Sequence, residues 1–305
     1  MHVAVAIVGF KNTDDIVRCI EALQASDYPD FSVVICENGG AEAHSALVKA
    51  IPATLPGGQT VKIVLASGNI GFPGGVNVCL AQSPGADAWW VLNPDTEPHE
   101  AALSALVERL SVGDCDAVGG VLLHPHGTVQ CYGGVWRPWM ARSVSIGYGK
   151  PASHTPDPRE IERTQNYLSG ACMLVSRRFV ETTGPMREDL FIYCEEVEWC
   201  LRARARGMRL GFAPTARVVH HHGTTTGSGQ DARHQPRLPI YLGERNKLLI
   251  TRQLYLARLP VVAVAVLALM LARYGRKGAW RQVGYGLDGW WAGVRTVTGK
   301  PEWLA

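Results

Sequence analysis

Four short apolar runs lie within the first 95 residues, and each ends in a polar or glycine-containing turn. They occupy residues 3–8, 31–36, 61–65 and 89–92. Between the first two runs, apolar residues recur at helical spacing: Ile16, Cys19, Ile20 and Leu23. Apolar strands that alternate with helical or loop crossovers predict a mostly parallel, doubly wound α/β sheet with helices on both faces.

The fourth run ends in the turn Asn93-Pro94-Asp95-Thr96. In a sheet of this kind, ligands collect in the crevice beyond the carboxyl ends of the strands. We therefore expect Asp95 to meet a cofactor or metal there. The alternative is an ordinary turn, in which an aspartate hydrogen-bonds its own backbone, and taken alone this composition favours that alternative.

Later segments continue the α/β pattern less regularly. Residues 67–77 form a glycine-rich stretch, which we interpret as a loop whose backbone can approach a ligand closely. A helix around 101–110 and a strand at 117–123 follow. Residues 124–163 are rich in Gly, Pro, His and aromatic residues, as in an excursion that forms an acceptor-side wall or lid. A small-residue turn then precedes a strand within 167–176.

Two polar segments in the second half are candidate site elements. Glu195, Glu196 and Glu198 open a helix that we expect to end at Gly207; the alternative is a solvated face with an ion pair between Glu198 and Arg202. Three consecutive histidines begin at His220, directly after two valines. In an extended chain at most two can face one ion, and the valines suggest that the first imidazole points inward. The alternative is an exposed polar loop.

Composition excludes several classes of protein. A chain of 305 residues with 47% hydrophobic and 19% charged residues can bury a large core. Its net charge of +3 is too small to indicate a nucleic-acid partner. The eight cysteines contain no Cys-x-x-Cys pair, so we expect reduced thiols rather than a zinc site or a disulfide framework. The N-terminus resembles a first strand rather than a signal peptide, which predicts a cytoplasmic catalytic part.

An ordered set of motifs over residues 3–250 resembles the inverting glycosyltransferases of family 2, which have the GT-A fold, and among them the bacterial rhamnosyltransferase-like branch. The set comprises Phe10-Lys11-Asn12, Glu37-Asn38-Gly39, Asn69-Ile70-Gly71-Phe72 through Asn77, Leu92 to Thr96, Gly170 to Met173, Glu195-Glu196, and His220 to Gly227. The resemblance implies a nucleotide-sugar donor, a divalent cation (Mg²⁺ or Mn²⁺) and a single displacement at the anomeric carbon.

The resemblance also implies roles for the acids and the first histidine. Asp95 and His220 would bind the cation, which neutralises the charge on a diphosphate leaving group. Asn93 stands where the family's Asp-x-Asp pattern has its first acid. The acceptor hydroxyl needs a base, which falls on Glu196, where the family more often has aspartate, or alternatively on Glu195.

The nucleotide-binding residues implied by the resemblance are spread along the chain. Glu37, in place of the usual aspartate, would accept from a pyrimidine N–H, and Arg245 would reach the pyrophosphate or order the histidine loop. The alternative for Arg245 is an exposed basic residue on a helix. The others would lie near the base, the ribose or the sugar: Phe10, Asn69, Gly71, Asn77, Asn93 and Asp95.

The C-terminal segment is apolar, basic and aromatic. Residues 259–272 form an apolar run of 14 residues, short of the ~20 that span a bilayer as a helix. Basic residues then mix with a possible apolar stripe: Trp280, Val283, Leu287, Trp290 and Val294. This composition favours an anionic membrane interface, where a lipid-linked acceptor resides. The alternative is a helical appendage packed on the catalytic domain or on a dimer partner, and four glycines weaken a continuous-helix interpretation.

These observations predict a catalytic GT-A domain over 1–250 and a helical, membrane-associating segment over 251–305. Residues 1–115 would form the nucleotide-sugar half and 116–250 the acceptor half. The leading hypothesis is a metal-dependent transfer of L-rhamnose from dTDP-rhamnose, or of a sugar from another pyrimidine nucleotide sugar. The acceptor would be a glycan or a lipid-linked saccharide in surface-polysaccharide synthesis. The reaction would take place at the inner face of the cytoplasmic membrane. A nucleotidyltransferase and a catalytically degenerate carbohydrate- or nucleotide-binding subunit are the alternatives.

Overall fold

The sheet and helices follow the predicted alternation closely. The computed structural model describes residues 1–221, 227 and 230–304. Its strands are β1 Val3–Gly9, β2 Phe31–Glu37, β3 Val61–Leu65, β4 Ala88–Leu92, β5 Thr96–Pro98, β6 Ala117–Leu123, β7 Val129–Cys131, β8 Gly134–Arg137, β9 Arg142–Ser145, β10 Cys172–Ser176 and β11 Leu210–His220. Its α-helices are α1 Thr13–Gln24, α2 Ala41–Ala50, α3 Gly71–Gln82, α4 Ala102–Ser111, α5 Pro158–Thr164, α6 Arg177–Thr183, α7 Glu195–Ala205, α8 Arg237–Leu254, α9 Leu259–Gly275 and α10 Trp280–Val294.

Nine of these strands form one sheet in the order β3-β2-β1-β4-β10-β6-β11-β5, with β7 paired to β6. The first four strands are mutually parallel, and β6 and β11 are parallel to each other. Strands β10, β5 and β7 run antiparallel to their neighbours. The strand order reverses between β1 and β4, which is where a doubly wound sheet opens a ligand crevice.

Helices cover both faces of the sheet, as predicted. Strand β4 contributes Trp90 and Leu92 to one core, together with α1, α2 and α4. Its alternate residues Trp89 and Val91 lie in the other core, with α3, α6, α7 and part of α8. This period-two alternation is the geometry of a strand buried on both faces. The mixed α/β sheet with C-terminal helices is the GT-A architecture.

The glycine-rich stretch over 67–77 is a loop only up to residue 70, and α3 begins at Gly71, earlier than predicted. Gly71 has a φ of 78°, which favours glycine, and a Cβ there would lie 2.2 Å from the Phe191 carbonyl oxygen. A Cβ at Gly75 would lie 2.5 Å from the Val8 side chain. The glycines therefore let the first turns of α3 approach neighbouring segments closely.

The predicted excursion over 124–163 contains regular structure. It includes β7, the β8–β9 hairpin and α5. Its Tyr132 and Trp136 are fully buried, and Tyr132 stacks at 5.9 Å on His154. The helix predicted from the three glutamates is α7. Arg202 donates to Glu198 at 2.8 Å, but Glu198 is fully buried, so the pair does not lie on the solvated face of the alternative interpretation.

The C-terminal helices pack against the catalytic part of the chain. The domain boundary predicted at residue 250 falls inside α8. The α9 residues Val262 and Val266 share a hydrophobic core with residues of the catalytic part. The division into domains stays a prediction. Helix α10 is continuous despite its glycines. A Cβ on Gly286 would lie 2.7 Å from the Met270 side chain, and a Cβ on Gly289 would lie 2.2 Å from the Tyr241 carbonyl oxygen. The two glycines therefore allow α10 to pack closely against α9 and α8.

The predicted apolar stripe of α10 is only partly buried. Val283 is buried, whereas Trp280 and Leu287 are exposed. Residues 256–275 form a 20-residue helical stretch. An 18-residue window within it has a mean hydropathy of 2.0 and is 17% buried, so by length and composition the stretch is sufficient to cross a membrane. The 14-residue count understated its length, since a 3-10 turn precedes α9 and its last turn continues to Gly275.

Candidate active site

A cavity of about 440 Å³ lies beyond the carboxyl ends of β1 and β4, at the point where the strand order reverses. It collects residues from nine separate parts of the chain. Of the predicted site residues, the following line it: Phe10, Asn69, Gly71, Asn93, Asp95, Glu195, Glu196 and His220. The remainder of its wall includes apolar side chains, among them Ile192, Leu238 and Leu304.

Asp95 and His220 meet at one side of this cavity. The His220 Nε2 atom lies 3.3 Å from the Asp95 Oδ1 atom, and both side chains are largely buried. Their proximity follows from strand pairing, because His220 in β11 is the antiparallel partner of Thr96 in β5. The Thr96 hydroxyl closes the turn by donating to the Asn93 carbonyl at 2.7 Å.

Strand alternation separates the first two histidines, as predicted. The His221 Nε2 atom lies 2.7 Å from the Glu97 Oε1 atom, and neither residue lines the cavity. His220 is therefore the imidazole that faces Asp95. The prediction for His222 and for residues 223–226 lies outside the described residues.

Gln130 of β7 orients the His220 imidazole. Its amide Nε2 donates to the His220 carbonyl oxygen at 3.0 Å, and its Oε1 lies 2.8 Å from the His220 Nδ1 atom. Because a carbonyl oxygen only accepts, the first contact fixes the orientation of the amide, and the second places a hydrogen on Nδ1. The Nε2 atom is thereby directed at Asp95, with Asn93 Nδ2 at 3.4 Å.

This donor set is suited to a divalent cation. An imidazole whose other nitrogen is held by an amide oxygen is the usual form of a metal-bound histidine, and a carboxylate oxygen beside it supplies a hard ligand. Within the part of the chain that the structure describes, no third His, Cys, Asp or Glu completes a cluster. A cation held by Asp95 and His220 would have coordination positions open to oxygen atoms of a bound substrate.

The acidic pair begins α7 and lines another part of the cavity wall. Glu195 is 5% exposed and Glu196 is partly exposed, with its Cβ close to the position a Cβ would take on Gly170. Burial raises the pKa of Glu195 well above its ordinary value, and the neighbouring Glu196 charge raises it further. Burial also raises the pKa of Glu196. Both carboxyls thus hold protons more tightly than exposed glutamates.

We expect Glu195→Gln to stabilise the protein at alkaline pH. A carboxyl with a raised folded-state pKa is neutral without penalty at low pH, and its ionisation destabilises the fold as pH rises through that pKa. Thermal unfolding from about pH 5 to about pH 8 should give a melting-temperature advantage over wild type that grows with pH. An advantage that is constant or shrinks as pH rises would contradict the raised pKa of Glu195.

Three predicted binding residues do not line the cavity. Asn77 binds the Met186 backbone and Glu188, and Glu37 is fully buried. Arg245 is also fully buried, so its interpretation as an exposed basic residue is wrong. Their proposed contacts with the nucleotide stay predictions.

Glu37 organises the turn after β1. Its Oε1 accepts from the backbone N–H groups of Lys11 at 3.0 Å and Gly39 at 2.6 Å. The adjacent Asn38 lines the cavity instead, and its Nδ2 donates to the Gly71 carbonyl at 3.0 Å. Asn38 was visible in the Glu37-Asn38-Gly39 motif, whereas Gln130 carries no local sequence signal.

Comparison with known proteins shows the family of the chain. The model for glycosyltransferase-like family 2 matches residues 1–237. The chain is a family 2 glycosyltransferase. It is therefore a transferase by family, and the Asp95–His220 and Glu195–Glu196 groups lie within the matched region.

Two curated relatives of this glycosyltransferase are similar over most of their length. One is an N-acetylglucosaminyl-diphospho-decaprenol L-rhamnosyltransferase from Mycobacterium tuberculosis, 25% identical over 256 residues, covering 75% of this chain and 80% of the relative. The other is a low-salt glycan biosynthesis hexosyltransferase from Haloferax volcanii, 23% identical over 243 residues, covering 77% of this chain and 76% of the relative.

Solved structures share the fold of the glycosyltransferase. A mannosyltransferase from Pyrobaculum calidifontis, in complex with GDP-Man and Mn²⁺, has a TM-score of 0.59 at 14% identity and covers 96% of this chain and 87% of its own. S. aureus TarS in complex with UDP-GlcNAc has a TM-score of 0.61 at 12% identity, with 97% and 82% covered.

Proposed function

We propose that this glycosyltransferase transfers a sugar from a nucleotide diphosphate donor to a hydroxyl acceptor with inversion, and that transfer depends on a divalent cation. One observation carries the proposal: a single cavity joins an Asp–His pair suited to a cation with the Glu195–Glu196 pair. L-Rhamnose from dTDP-rhamnose is the proposed donor group, supported by the rhamnosyltransferase relative.

Asp95 and His220 would hold the cation, with Gln130 keeping the imidazole directed toward it. A bound Mg²⁺ or Mn²⁺ would neutralise the charge that develops on the diphosphate leaving group. The structural neighbour with GDP-Man and Mn²⁺ supports this proposal. Phe10, Asn69, Asn93 and the unpredicted Asn38 would contact the nucleotide from the ends of β1, β2, β3 and β4.

Glu196 would act as the base. In a single displacement, the acceptor oxygen forms a bond to the anomeric carbon, the bond from that carbon to the phosphate oxygen breaks, and the hydroxyl proton moves to the carboxylate. The raised pKa of Glu196 makes it a stronger base than an exposed glutamate. Glu195 stays the alternative base because it also borders the cavity.

The histidines should affect metal affinity unequally. His220→Ala should raise the Mn²⁺ concentration needed for half-maximal transfer by about tenfold or more, because even removing a group that only supports a metal ligand costs ~10- to 100-fold in affinity. His221→Ala is the matched control, since it faces Glu97 outside the cavity. Direct Mn²⁺ binding should show the same order. Equal, small effects at both positions would exclude the inward-ligand role.

We propose a lipid-linked acceptor and a peripheral position on the inner face of the cytoplasmic membrane. On α9, apolar residues at helical spacing are exposed, among them Val261, Val264 and Leu271. Basic side chains follow on the same helix and after it, including Arg273 and Arg276. An apolar face next to cations suits an anionic lipid surface. The opposite face of α9 is packed on the protein, which favours a helix that lies in the interface.

Charge on the exposed α9 face should release the protein from membranes. Val261→Glu with Val264→Glu should weaken binding to vesicles containing anionic lipid by about tenfold or more, because burial of one valine contributes ~1.5 kcal/mol or more. Val48→Glu, at an equally exposed position on α2, is the control. Transfer to a water-soluble acceptor should stay near wild type. Wild-type protein that does not bind such vesicles would contradict the membrane proposal.

A donor screen tests the proposed reaction. Purified protein is incubated with labelled nucleotide sugars, Mn²⁺ or Mg²⁺, and a diphospholipid-linked saccharide. Formation of a labelled glycoside that requires the cation supports the proposal. Synthesis of a nucleotide sugar from a sugar phosphate would indicate a nucleotidyltransferase, and donor binding without turnover would indicate a degenerate binding subunit.

A further inference from the structure

The segment that leads into the acidic pair has a backbone conformation that side chains disfavour. Phe191, Tyr193 and Cys194 have φ angles of 67°, 73° and 66°, in the region that favours glycine. Several such residues together persist only where the surrounding structure holds them. Glu195 follows directly as the first residue of α7.

Asn246 of α8 holds three carbonyl groups of this segment. Its Nδ2 lies within hydrogen-bonding distance of the carbonyl oxygens of Leu190 at 3.0 Å, Ile192 at 3.0 Å and Tyr193 at 2.8 Å. Because the amide has two hydrogens, one of them is shared between two of these oxygens. Asn246 is fully buried, so water does not compete for these hydrogen bonds. A single side chain thus binds the carbonyl groups on both sides of the strained turn.

Arg245 completes the arrangement from the adjacent position. Its Nε donates to the Asn246 Oδ1 atom at 3.0 Å, which turns both amide hydrogens of Asn246 toward the segment. Its Nη2 donates to the Leu190 carbonyl at 3.0 Å and its Nη1 to the Gly299 carbonyl at 2.7 Å. The guanidinium is therefore used within the protein and does not face the cavity.

The remaining carbonyl ties the segment to the donor side of the cavity. The Phe191 oxygen accepts from the Phe72 N–H at 2.9 Å, and Gly71 leaves the space for this contact. All four carbonyls from 190 to 193 are consequently bonded from other parts of the chain. The direction in which the chain enters α7 is set by these bonds.

We propose that Arg245 and Asn246 are positioning residues that hold segment 190–194 in its strained form and thereby aim Glu195 and Glu196 into the cavity. This inference rests on the proposed role of the acidic pair. Neither residue lines the cavity, so the binding role predicted for Arg245 is replaced in this proposal by one exerted through the backbone of the segment.

Asn246→Asp and Asn246→Ala test the proposal. Asp keeps the shape but directs an acceptor at the carbonyl groups, and Ala removes the donor. The kcat of transfer should fall about 10- to 100-fold, because a displacement of the order of 1 Å at a catalytic group costs up to ~10²-fold. The donor dissociation constant should change less than about twofold, since the substitutions leave the residues that contact the donor in place. Arg245→Lys, which retains the charge and one donor, should give a smaller loss.

The pH profile separates mispositioning from a general loss of folded protein. Burial raises the pKa of both glutamates, so a relaxed segment that admits water should lower those pKa values. The acid limb of kcat should then move to lower pH in the Asn246 variants. A merely destabilised variant would lose rate equally at every pH. Thr251→Val is the control, because Thr251 is equally buried on α8 and donates within that helix to Lys247.

Hydrogen exchange tests the clamping independently of catalysis. Amides 190–195 should exchange faster in Asn246→Ala, with the β1–β4 amides unchanged. The proposal would be overturned if amides 190–195 exchanged at the wild-type rate in Asn246→Ala. It would also be overturned if the acid limb of kcat did not shift and the loss of rate equalled the loss of folded protein. If exchange accelerates while Glu195→Gln and Glu196→Gln both keep full turnover, the base assignment fails and the positioning of the segment stands.

Discussion

Asp95→Ala is expected to reduce transfer by about 10³-fold or more while the protein stays folded. Removing one group that stabilises developing charge already costs ~10²- to 10³-fold, and here the residue lost would also hold the cation. Asp95 lies in a turn beyond β4 that the Thr96 hydroxyl closes, so the fold does not depend on its carboxylate. Transfer rates at saturating donor and Mn²⁺, together with thermal unfolding, measure both parts.

Glu97→Gln is the matched control for Asp95→Ala. Glu97 is the next acid along the chain and pairs with His221 outside the cavity. Its replacement should leave transfer near wild type and the Mn²⁺ requirement unchanged. If Asp95→Ala is as active as Glu97→Gln, or if wild-type protein is fully active after chelation, Asp95 has no metal role.

Glu196→Gln is expected to lower kcat by ~10²- to 10⁴-fold, the usual cost of losing a positioned base, with donor affinity near wild type. Gln retains the shape of the side chain, so the packing against Gly170 stays comparable. Glu195→Gln should be milder, because consecutive helical side chains are turned ~100° apart and Glu195 is the more buried of the two. Single-turnover rates and donor dissociation constants measure the difference.

Glu196→Asp refines the test of the base. It introduces the residue more usual in the family but shortens the side chain by one methylene group, so an intermediate rate indicates a site adapted to glutamate. If Glu195→Gln abolished turnover and Glu196→Gln lowered it only slightly, the base would be Glu195. Full turnover in both would leave the start of α7 without a catalytic role.

The sequence was sufficient to predict the features that depend on local pattern. Apolar runs predicted the strands, their alternation with helices predicted the parallel half of the sheet, and two valines before His220 predicted its inward orientation. The turn after β4 predicted the position of Asp95 at the sheet edge. Each of these rests on a period or a turn that neighbouring residues set.

Features that depend on distant contacts were not predictable in this way. Gln130 acts on His220 across 90 positions, and Asn246 reaches Tyr193 across 53. The glycines of α3 and α10 indicate loops or interrupted helices by propensity alone, yet they serve close packing between helices and strands. Arg245 has no acid four residues before or after it on its helix, and only tertiary structure shows that it donates to backbone carbonyls.

The anomeric configuration of the product tests the central claim most directly. Wild-type protein, Mn²⁺ and the donor that the screen identifies should yield a glycoside whose anomeric proton and carbon signals in NMR show the configuration opposite to that of the donor. Inversion, lost together with turnover in Asp95→Ala and Glu196→Gln, is the predicted result. A product that retains the donor's configuration would contradict a single displacement assisted by Glu196.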